Sequence, residues 1–116
     1  MNQYHRRARP IVFALLASLL VLPSVAHSDG SSVDLRFADH HFTPQNLTVA
    51  AGQPLTVKVL NDSKETIEFE SFKLNREVAM TPGETITVRL PALSPGSYDF
   101  YDDFHQDVPQ GAIVAK

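Results

Sequence analysis

The chain has 116 residues, with ten Lys and Arg against thirteen Asp and Glu, and a formal net charge of −3 at pH 7. This length predicts one domain with a single core, and the acidic balance argues against nucleic acid or anionic lipid as a partner. The chain contains no cysteine, which excludes disulfides, a thiol nucleophile and thiolate metal ligands.

Residues 1–26 are predicted to be a secretory signal peptide. Three arginines precede the apolar run Ile11–Leu22, and the small-x-small sequence Ser24–Ala26 follows it. The run is about 12 residues, shorter than the ~20 needed to cross a bilayer, which disfavours the alternative of an uncleaved anchor. We expect cleavage after Ala26, or after Ser28, and a mature chain in the periplasm.

Residues 33–116 are predicted to form one all-β domain after a disordered leader at residues 27–32. Apolar and polar residues alternate in Val33–Phe37, Leu55–Leu60 and Thr66–Phe72, as in half-buried strands. Clusters of Gly, Pro, Asn and Asp separate these segments from further short strands: Leu47–Val49, Thr85–Leu90, Tyr98–Phe100 and Gly111–Val114. Seven or eight short strands without helical periodicity predict a β-sandwich or barrel.

Common catalytic motifs are missing from the sequence. No serine lies in a Gly-x-Ser-x-Gly elbow, and no glycine-rich loop is present that could hold phosphate. Paired carboxylates occur, but a glycosidase also needs a wide sugar cleft, which is hard to build in a domain this small. Metal binding is therefore the chemistry that the sequence favours.

Carboxylate and imidazole side chains occur in four places: His40-His41, Glu68 with Glu70, Glu77, and the segment containing Asp99, Asp102, Asp103 and His105. Each group also has a reading without function, as solvated loop histidines, the exposed face of an edge strand, or turn residues. Glu68 and Glu70 are two apart on a strand and so project from one face. Aromatic residues on both sides of Asp102-Asp103 favour a loop that packs onto the domain.

An ordered series of short motifs spans nearly all of residues 33–116. It consists of Phe42-x-Pro44, Leu47-x-Val49-x-Ala51-Gly52, Val57-x-Val59-x-Asn61, Pro82-Gly83, Pro95-Gly96-x-Tyr98-x-Phe100 and Gly111-x-Ile113-Val114. The series resembles that of the cupredoxins. The resemblance implies a cupredoxin-like Greek-key β-sandwich of about seven to eight strands.

The resemblance also shows how this chain departs from a blue-copper site. Glu68 falls about where the first histidine ligand belongs, Asp102 replaces the cysteine, and Pro109 falls near the methionine, whereas His105 keeps the second histidine. A blue-copper site depends on a thiolate–copper bond, so electron transfer of the usual cupredoxin kind is not expected. Oxygen and imidazole donors suit Cu(II), Fe(III) or Mn(II) rather than Cu(I).

A narrower resemblance rests on Glu68-Phe69-Glu70, on Arg76-Glu77 shortly before Pro82-Gly83, and on Gly96-x-Tyr98-Asp99. These motifs are similar to those of the cupredoxin-like periplasmic components of bacterial iron-uptake systems. The similarity implies binding of copper, iron or both beside a membrane iron permease and a companion periplasmic iron-uptake protein. The sequence leaves a monomer or a homodimer open.

We therefore predict a metal site at the end of the sandwich. Its main ligands would be Glu68, Asp102 and His105, and the remaining candidates are Glu70, Glu77, Asp103 and His41 as supplementary ligands or as a second, carboxylate site for ferric iron. One alternative is a copper-dependent oxidase that converts Fe(II) to Fe(III) for the permease. Another is a metal-free interaction domain whose partner surface contains Phe72, Tyr101 and Phe104.

Overall fold

A computed structural model describes residues 30–116, and the predicted signal peptide with its cleavage site lies outside these residues. Nine strands make up the regular structure of the described part. They are β1 Ser31–Ala38, β2 His41–Thr43, β3 Asn46–Val49, β4 Leu55–Asn61, β5 Ile67–Ser71, β6 Arg76–Met80, β7 Thr85–Leu90, β8 Gly96–Asp102 and β9 Gly111–Ala115. Within residues 30–116, no helix is long and apolar enough to cross a membrane.

The strands form two sheets. The four-stranded sheet has the order β2-β1-β4-β7, and the five-stranded sheet has the order β3-β9-β8-β5-β6. β1 pairs in parallel with β4, and β3 pairs in parallel with β9, while the other pairs are antiparallel. The prediction of an all-β sandwich is confirmed.

Two of the nine strands were not predicted from the sequence, β2 and β6. β2 has three residues and ends just before Pro44, so it is too short to show a period of two. β6 begins with Arg76-Glu77 and lies at the edge of the five-stranded sheet, where one flank needs no partner. β1 begins at Ser31, so the last two residues of the expected leader belong to a strand.

Four buried phenylalanine rings fill the core beneath β5 and β8. The centroid of the Phe42 ring lies 4.9 Å from that of Phe37 and 5.1 Å from that of Phe100, both in edge-to-face geometry. The rings of Phe69 and Phe100 have centroids 5.7 Å apart. Because Phe69 on β5 and Phe100 on β8 point into the core, their neighbours along each strand point to the outer face of the sheet.

Candidate metal centre

A group of carboxylates lies on the outer face of the five-stranded sheet. Glu68 and Glu70 alternate with the buried residues of β5, and Asp103 follows the end of β8. One carboxylate oxygen from each of these three residues lies within 4.8 Å of the others. The backbone N–H of Asp103 donates to the carbonyl of Glu68 at 3.0 Å, which holds the two chain segments together.

Glu77 on β6 extends this group, since it pairs directly with Glu70 across the two strands. Tyr101 on β8 pairs with Glu70 from the other side. Residues directly opposite each other in an antiparallel pair share a face, and like charges in that position repel. We call Glu68, Glu70, Glu77 and Asp103 the carboxylate cluster.

The electrostatics of the cluster disfavour a full set of negative charges. Partial burial, followed by the neighbouring Glu77 carboxylate, raises the pKa of Glu68 above its ordinary value, and Asp103 and Glu70 act in the same direction. Partial burial and then the Glu70 carboxylate likewise raise the pKa of the Tyr101 phenol. A bound cation would relieve this repulsion, because it would balance the charges that now oppose one another.

Two basic side chains close in sequence to these strands, Lys73 and Arg76, have other partners. Lys73 lies 3.5 Å from the Asp99 carboxylate and donates to the carbonyl of Ser97 at 3.0 Å. Arg76, beside Glu77 in sequence, donates from its guanidinium to three backbone carbonyls, those of Leu74, Asn75 and Arg89. Its hydrogen bonds therefore join the edge of the sheet to β7 instead of neutralising the carboxylate cluster.

Asp102 has a different environment from Asp103, because its side chain points into the domain and is fully buried. Its Oδ1 accepts from the backbone N–H groups of Glu68 at 2.9 Å and Phe104 at 3.1 Å. Its Oδ2 lies 2.7 Å from Nδ1 of His105. The Asp102 carboxylate thus joins β5 to the loop after β8, and both of its oxygens already have hydrogen-bond partners.

The bond to Asp102 fixes the orientation of the His105 ring. An ionised carboxylate can only accept, so Nδ1 is the protonated nitrogen and donates to it. Nε2 is left without such a bond and lies 3.7 Å from Oε2 of Glu65. The His105 side chain is 29% exposed. The hydrogen bond to Asp102 raises the pKa of His105, and partial burial opposes part of this rise.

Comparison with known proteins identifies the type of domain. The model for the cupredoxin-like domain matches residues 11–115. The chain belongs to the cupredoxin-like domain family. It is also 30% identical over 124 residues to the uncharacterized protein RP394 of Rickettsia prowazekii (strain Madrid E), a match that covers 100% of this chain and 99% of the relative.

Solved cupredoxin-like structures have the same fold at low sequence identity. The metal-binding domain of the Cu(I)-exporting P-type ATPase CopA from Streptococcus pneumoniae superposes with a TM-score of 0.67 at 11% identity, covering 78% of this chain and 91% of that one. The blue copper protein auracyanin A from Chloroflexus aurantiacus gives 0.62 at 17% identity, over 75% and 100% of the two chains. Amicyanin from Paracoccus versutus gives 0.58 at 19%, over 79% and 86%.

The copper implied by this family does not fit here as a blue-copper centre. The chain has no cysteine, and Asp102, at the position where the sequence comparison places the thiolate, already uses both oxygens for hydrogen bonds. The donors that remain are carboxylate oxygens and imidazole nitrogen. This set fits Cu(II) and harder ions such as Fe(III).

The structure divides the predicted ligands into two groups. Glu68, Glu70, Glu77 and Asp103 lie together on the outer face, whereas Asp102 and His105 pair with each other at the loop after β8. Glu68 does meet Asp102, but through its backbone N–H and not through its carboxylate. His41 is exposed on β2 in the four-stranded sheet, where its Nδ1 lies 2.8 Å from the carbonyl of Asp39. The roles of all seven residues as metal ligands stay predictions.

Sequence reasoning missed Glu65, which lies beside His105. Its place depends on the loop between β4 and β5, where Ser63 and Glu65 are linked by a hydrogen bond from the Glu65 N–H to Ser63 Oγ at 3.2 Å. A serine whose hydroxyl bonds the backbone N–H two residues further on is a recognisable turn feature. The contact with a residue forty positions further along the chain leaves no such local signal.

Proposed function

We propose that this cupredoxin-like protein binds copper, iron or both in the periplasm and takes part in iron uptake with a membrane iron permease and a companion periplasmic protein. The carboxylate cluster is the observation that carries the proposal, because Glu68, Glu70 and Asp103 offer oxygen atoms within 4.8 Å of one another. Several carboxylates at this spacing, to which no basic side chain of residues 30–116 is bonded, favour a hard cation.

The family and the site support the proposal independently. Solved members of the fold carry copper, as in auracyanin A and in the CopA metal-binding domain. In this chain the sulfur ligand of such centres is absent, whereas oxygen donors converge on one face. We infer that the scaffold here serves a harder ion than the Cu(I) that the CopA domain holds, which is consistent with handling iron.

The test is uptake of radiolabelled iron by the native bacterium. Deletion of the gene should lower uptake under iron limitation, and the wild-type gene should restore it. A gene carrying Glu68→Gln and Glu70→Gln should fail to restore it, because two charges of the carboxylate cluster are removed without loss of volume. Asp34→Asn, which removes an exposed acid on β1, is the matched control and should restore uptake.

Normal uptake in the deletion strain would reject the iron-uptake role, and full restoration by the double variant would reject the carboxylate cluster as the site. The protein level in the periplasm, measured by immunoblot, separates loss of function from loss of the protein.

A copper-dependent Fe(II) oxidase is the second candidate, and the arrangement of Asp102 and Asp103 favours it. These consecutive residues point to opposite faces, so an imidazole-containing group and the carboxylate cluster lie on either side of one strand end. Such an oxidase needs a redox-active metal and a separate iron site, and four Fe(II) ions must supply the electrons that reduce one O₂ to water. Oxygen consumption on adding Fe(II) to the copper-loaded protein would support the oxidase, and its absence would leave metal binding alone.

A further inference from the structure

We propose that Tyr101 is a ligand of ferric iron at the carboxylate cluster, with its phenol oxygen as a fourth donor beside those of Glu68, Glu70 and Asp103. The inference rests on the proposed function, because it takes the carboxylate cluster as the place where an ion binds. It also deepens that function, since a phenolate donor favours Fe(III) among the ions that carboxylates alone would accept. Tyr101 is not among the ligands predicted from the sequence.

The first argument is the register of β5 against β8. Tyr101 pairs directly with Glu70. Continued to the end of β8, the same register places Asp103 opposite Glu68, and the N–H of Asp103 donates to the carbonyl of Glu68 at 3.0 Å. The alternation of side chains along the strands puts all four on the outer face. Tyr101 and three carboxylates therefore occupy the four corners of one patch across two neighbouring strands.

The second argument is that three of these corners already converge. One carboxylate oxygen from each of Glu68, Glu70 and Asp103 lies within 4.8 Å of the others. Side chains directly opposite each other on neighbouring strands have Cβ atoms about 4.5–5.5 Å apart, so the Tyr101 side chain starts beside that of Glu70. The carboxylates of Glu70, Asp103 and Glu77 are all close enough to interact electrostatically with the phenol. The phenol oxygen is therefore within reach of an ion held by the carboxylates.

The third argument is the space beside Tyr101. Its partly buried side chain lines a cleft of about 320 Å³ together with Asp103, Gln106 and Gln110. Gln106 donates from Nε2 to Oδ1 of Asp103 at 3.1 Å, which orients that carboxylate. Water can enter the cleft, so an ion bound by Tyr101 and the carboxylates can complete its coordination shell there.

The chemistry of the phenol explains why Fe(III) is the expected ion. Tyrosine oxygen binds iron in other proteins, as the axial ligand of the haem in catalase shows. A bound cation makes a group that coordinates it more acidic, and by Coulomb's law a trivalent ion does so more strongly than a divalent ion. On binding, the phenol O–H bond breaks, the oxygen keeps the electron pair and bonds to iron, and the proton leaves to solvent. The oxidation state of the iron does not change.

Visible absorption spectroscopy of the mature protein, titrated with Fe(III) as its citrate complex, tests the proposal. A phenolate bound to ferric iron gives a visible charge-transfer band, which iron bound by carboxylates alone lacks. We expect the band to grow in proportion to bound iron, counted by a colorimetric assay after desalting. Resonance Raman excitation within the band should show the ring vibrations of a tyrosine.

Tyr101→Phe should abolish the band while iron stays bound to the carboxylates. Tyr98→Phe is the matched control, because Tyr98 is the other tyrosine among residues 30–116 and donates its hydroxyl to the carbonyl of Ser94 at 2.8 Å. This control should keep the full band. The tyrosine vibrations in its resonance Raman spectrum should also remain, and they can then come only from Tyr101, so the test stands even if Tyr101→Phe does not fold.

Iron that binds without the band would show that Tyr101 is not a ligand, and so would a band that survives in Tyr101→Phe or disappears in Tyr98→Phe. The proposed function would stand after any of these results, because iron is still bound. Glu68→Gln/Glu70→Gln should lose both the iron and the band. A wild-type protein that binds no Fe(III) would contradict both the inference and the carboxylate cluster as an iron site.

Discussion

Asp102 and Asp103 are neighbours in the chain, yet their carboxylates serve opposite faces of the five-stranded sheet. The alternation along β8 makes this placement predictable. Asp102 is two residues from the core residue Phe100 and so shares its face, whereas Asp103 is three residues away and points to the opposite face. The partners of Asp102 were not predictable, since Glu68 N–H comes from a strand thirty-four residues away. The sequence indicates the face of a residue here, but not its contacts.

The pH dependence of the metal-free protein should reveal the Asp102–His105 pair. Because the pKa of His105 is raised above 6.5, its stabilising effect is complete below that value and is lost as the pH rises through the raised pKa. The difference in free energy of unfolding between wild type and His105→Gln should therefore shrink as the pH rises above 6.5 and through the raised pKa. Urea denaturation in the presence of a chelator measures it.

Asp102→Asn provides the control for that experiment, since it removes the charge that raises the pKa and keeps the size of the side chain. In the Asp102→Asn background, the effect of His105→Gln on stability should vary much less with pH. An equal pH dependence in both backgrounds would show that Asp102 is not the cause.

Strands β5, β6 and β8 together bring the carboxylate cluster into one place. The position of Glu68 and Glu70 on one face follows from the alternation of β5, which the sequence shows clearly. The position of Glu77 does not, because β6 was not recognised as a strand and its register opposite Glu70 depends on the hairpin between them. The position of Glu77 in the cluster could not be predicted, because it depends on how β6 pairs with β5.

Neutralising Glu68 should stabilise the metal-free protein at neutral pH. A raised pKa for a carboxyl group means that the folded state holds its charged form less favourably than the unfolded state does. This penalty appears as the pH rises above the ordinary value of 4.5 and is complete above the raised pKa. Glu68→Gln should therefore raise Tm at pH 7 in a chelating buffer and have little effect below pH 4.

Glu84→Gln is a contrasting variant, because the Glu84 carboxylate accepts from the Thr81 N–H at 2.9 Å and so stabilises a turn. It should not raise Tm. A lower Tm for Glu68→Gln than for wild type at neutral pH would contradict the repulsion that we assign to the carboxylate cluster.

The whole molecule is a sandwich of two mixed sheets, and the order of short motifs along the chain was sufficient to predict it. Turn residues such as Pro82-Gly83 and Pro95-Gly96 lie between consecutive strands or at their first residue. The strand count was the weaker part, because β2 and β6 are short or lie at a sheet edge. The sandwich fold is thus predictable from the order of motifs in the sequence, whereas the short and edge strands β2 and β6 depend on tertiary contacts.

Metal binding should stabilise the molecule as a unit, since the donors lie on strands from the centre of the five-stranded sheet and on the loops that follow. At a hundredfold excess of ion over the dissociation constant, the gain is roughly 2.7 kcal/mol. We expect Cu(II), or Fe(III) supplied as its citrate complex, to raise Tm in calorimetry. The rise should be smaller in Glu68→Gln/Glu70→Gln and unchanged in Asp34→Asn. An equal rise in all three proteins would exclude the carboxylate cluster as the source.

The absence of cysteine from the chain also bears on chemical durability. Ferrous iron and oxygen together produce peroxide, which oxidises thiolates and thioethers and would remove a sulfur ligand from a metal. The donors on Asp102, His105 and the carboxylate cluster contain no sulfur, and Met80, the one methionine among residues 30–116, is fully buried. The proposed ligands would therefore not be lost to sulfur oxidation if the protein handles iron in the presence of oxygen.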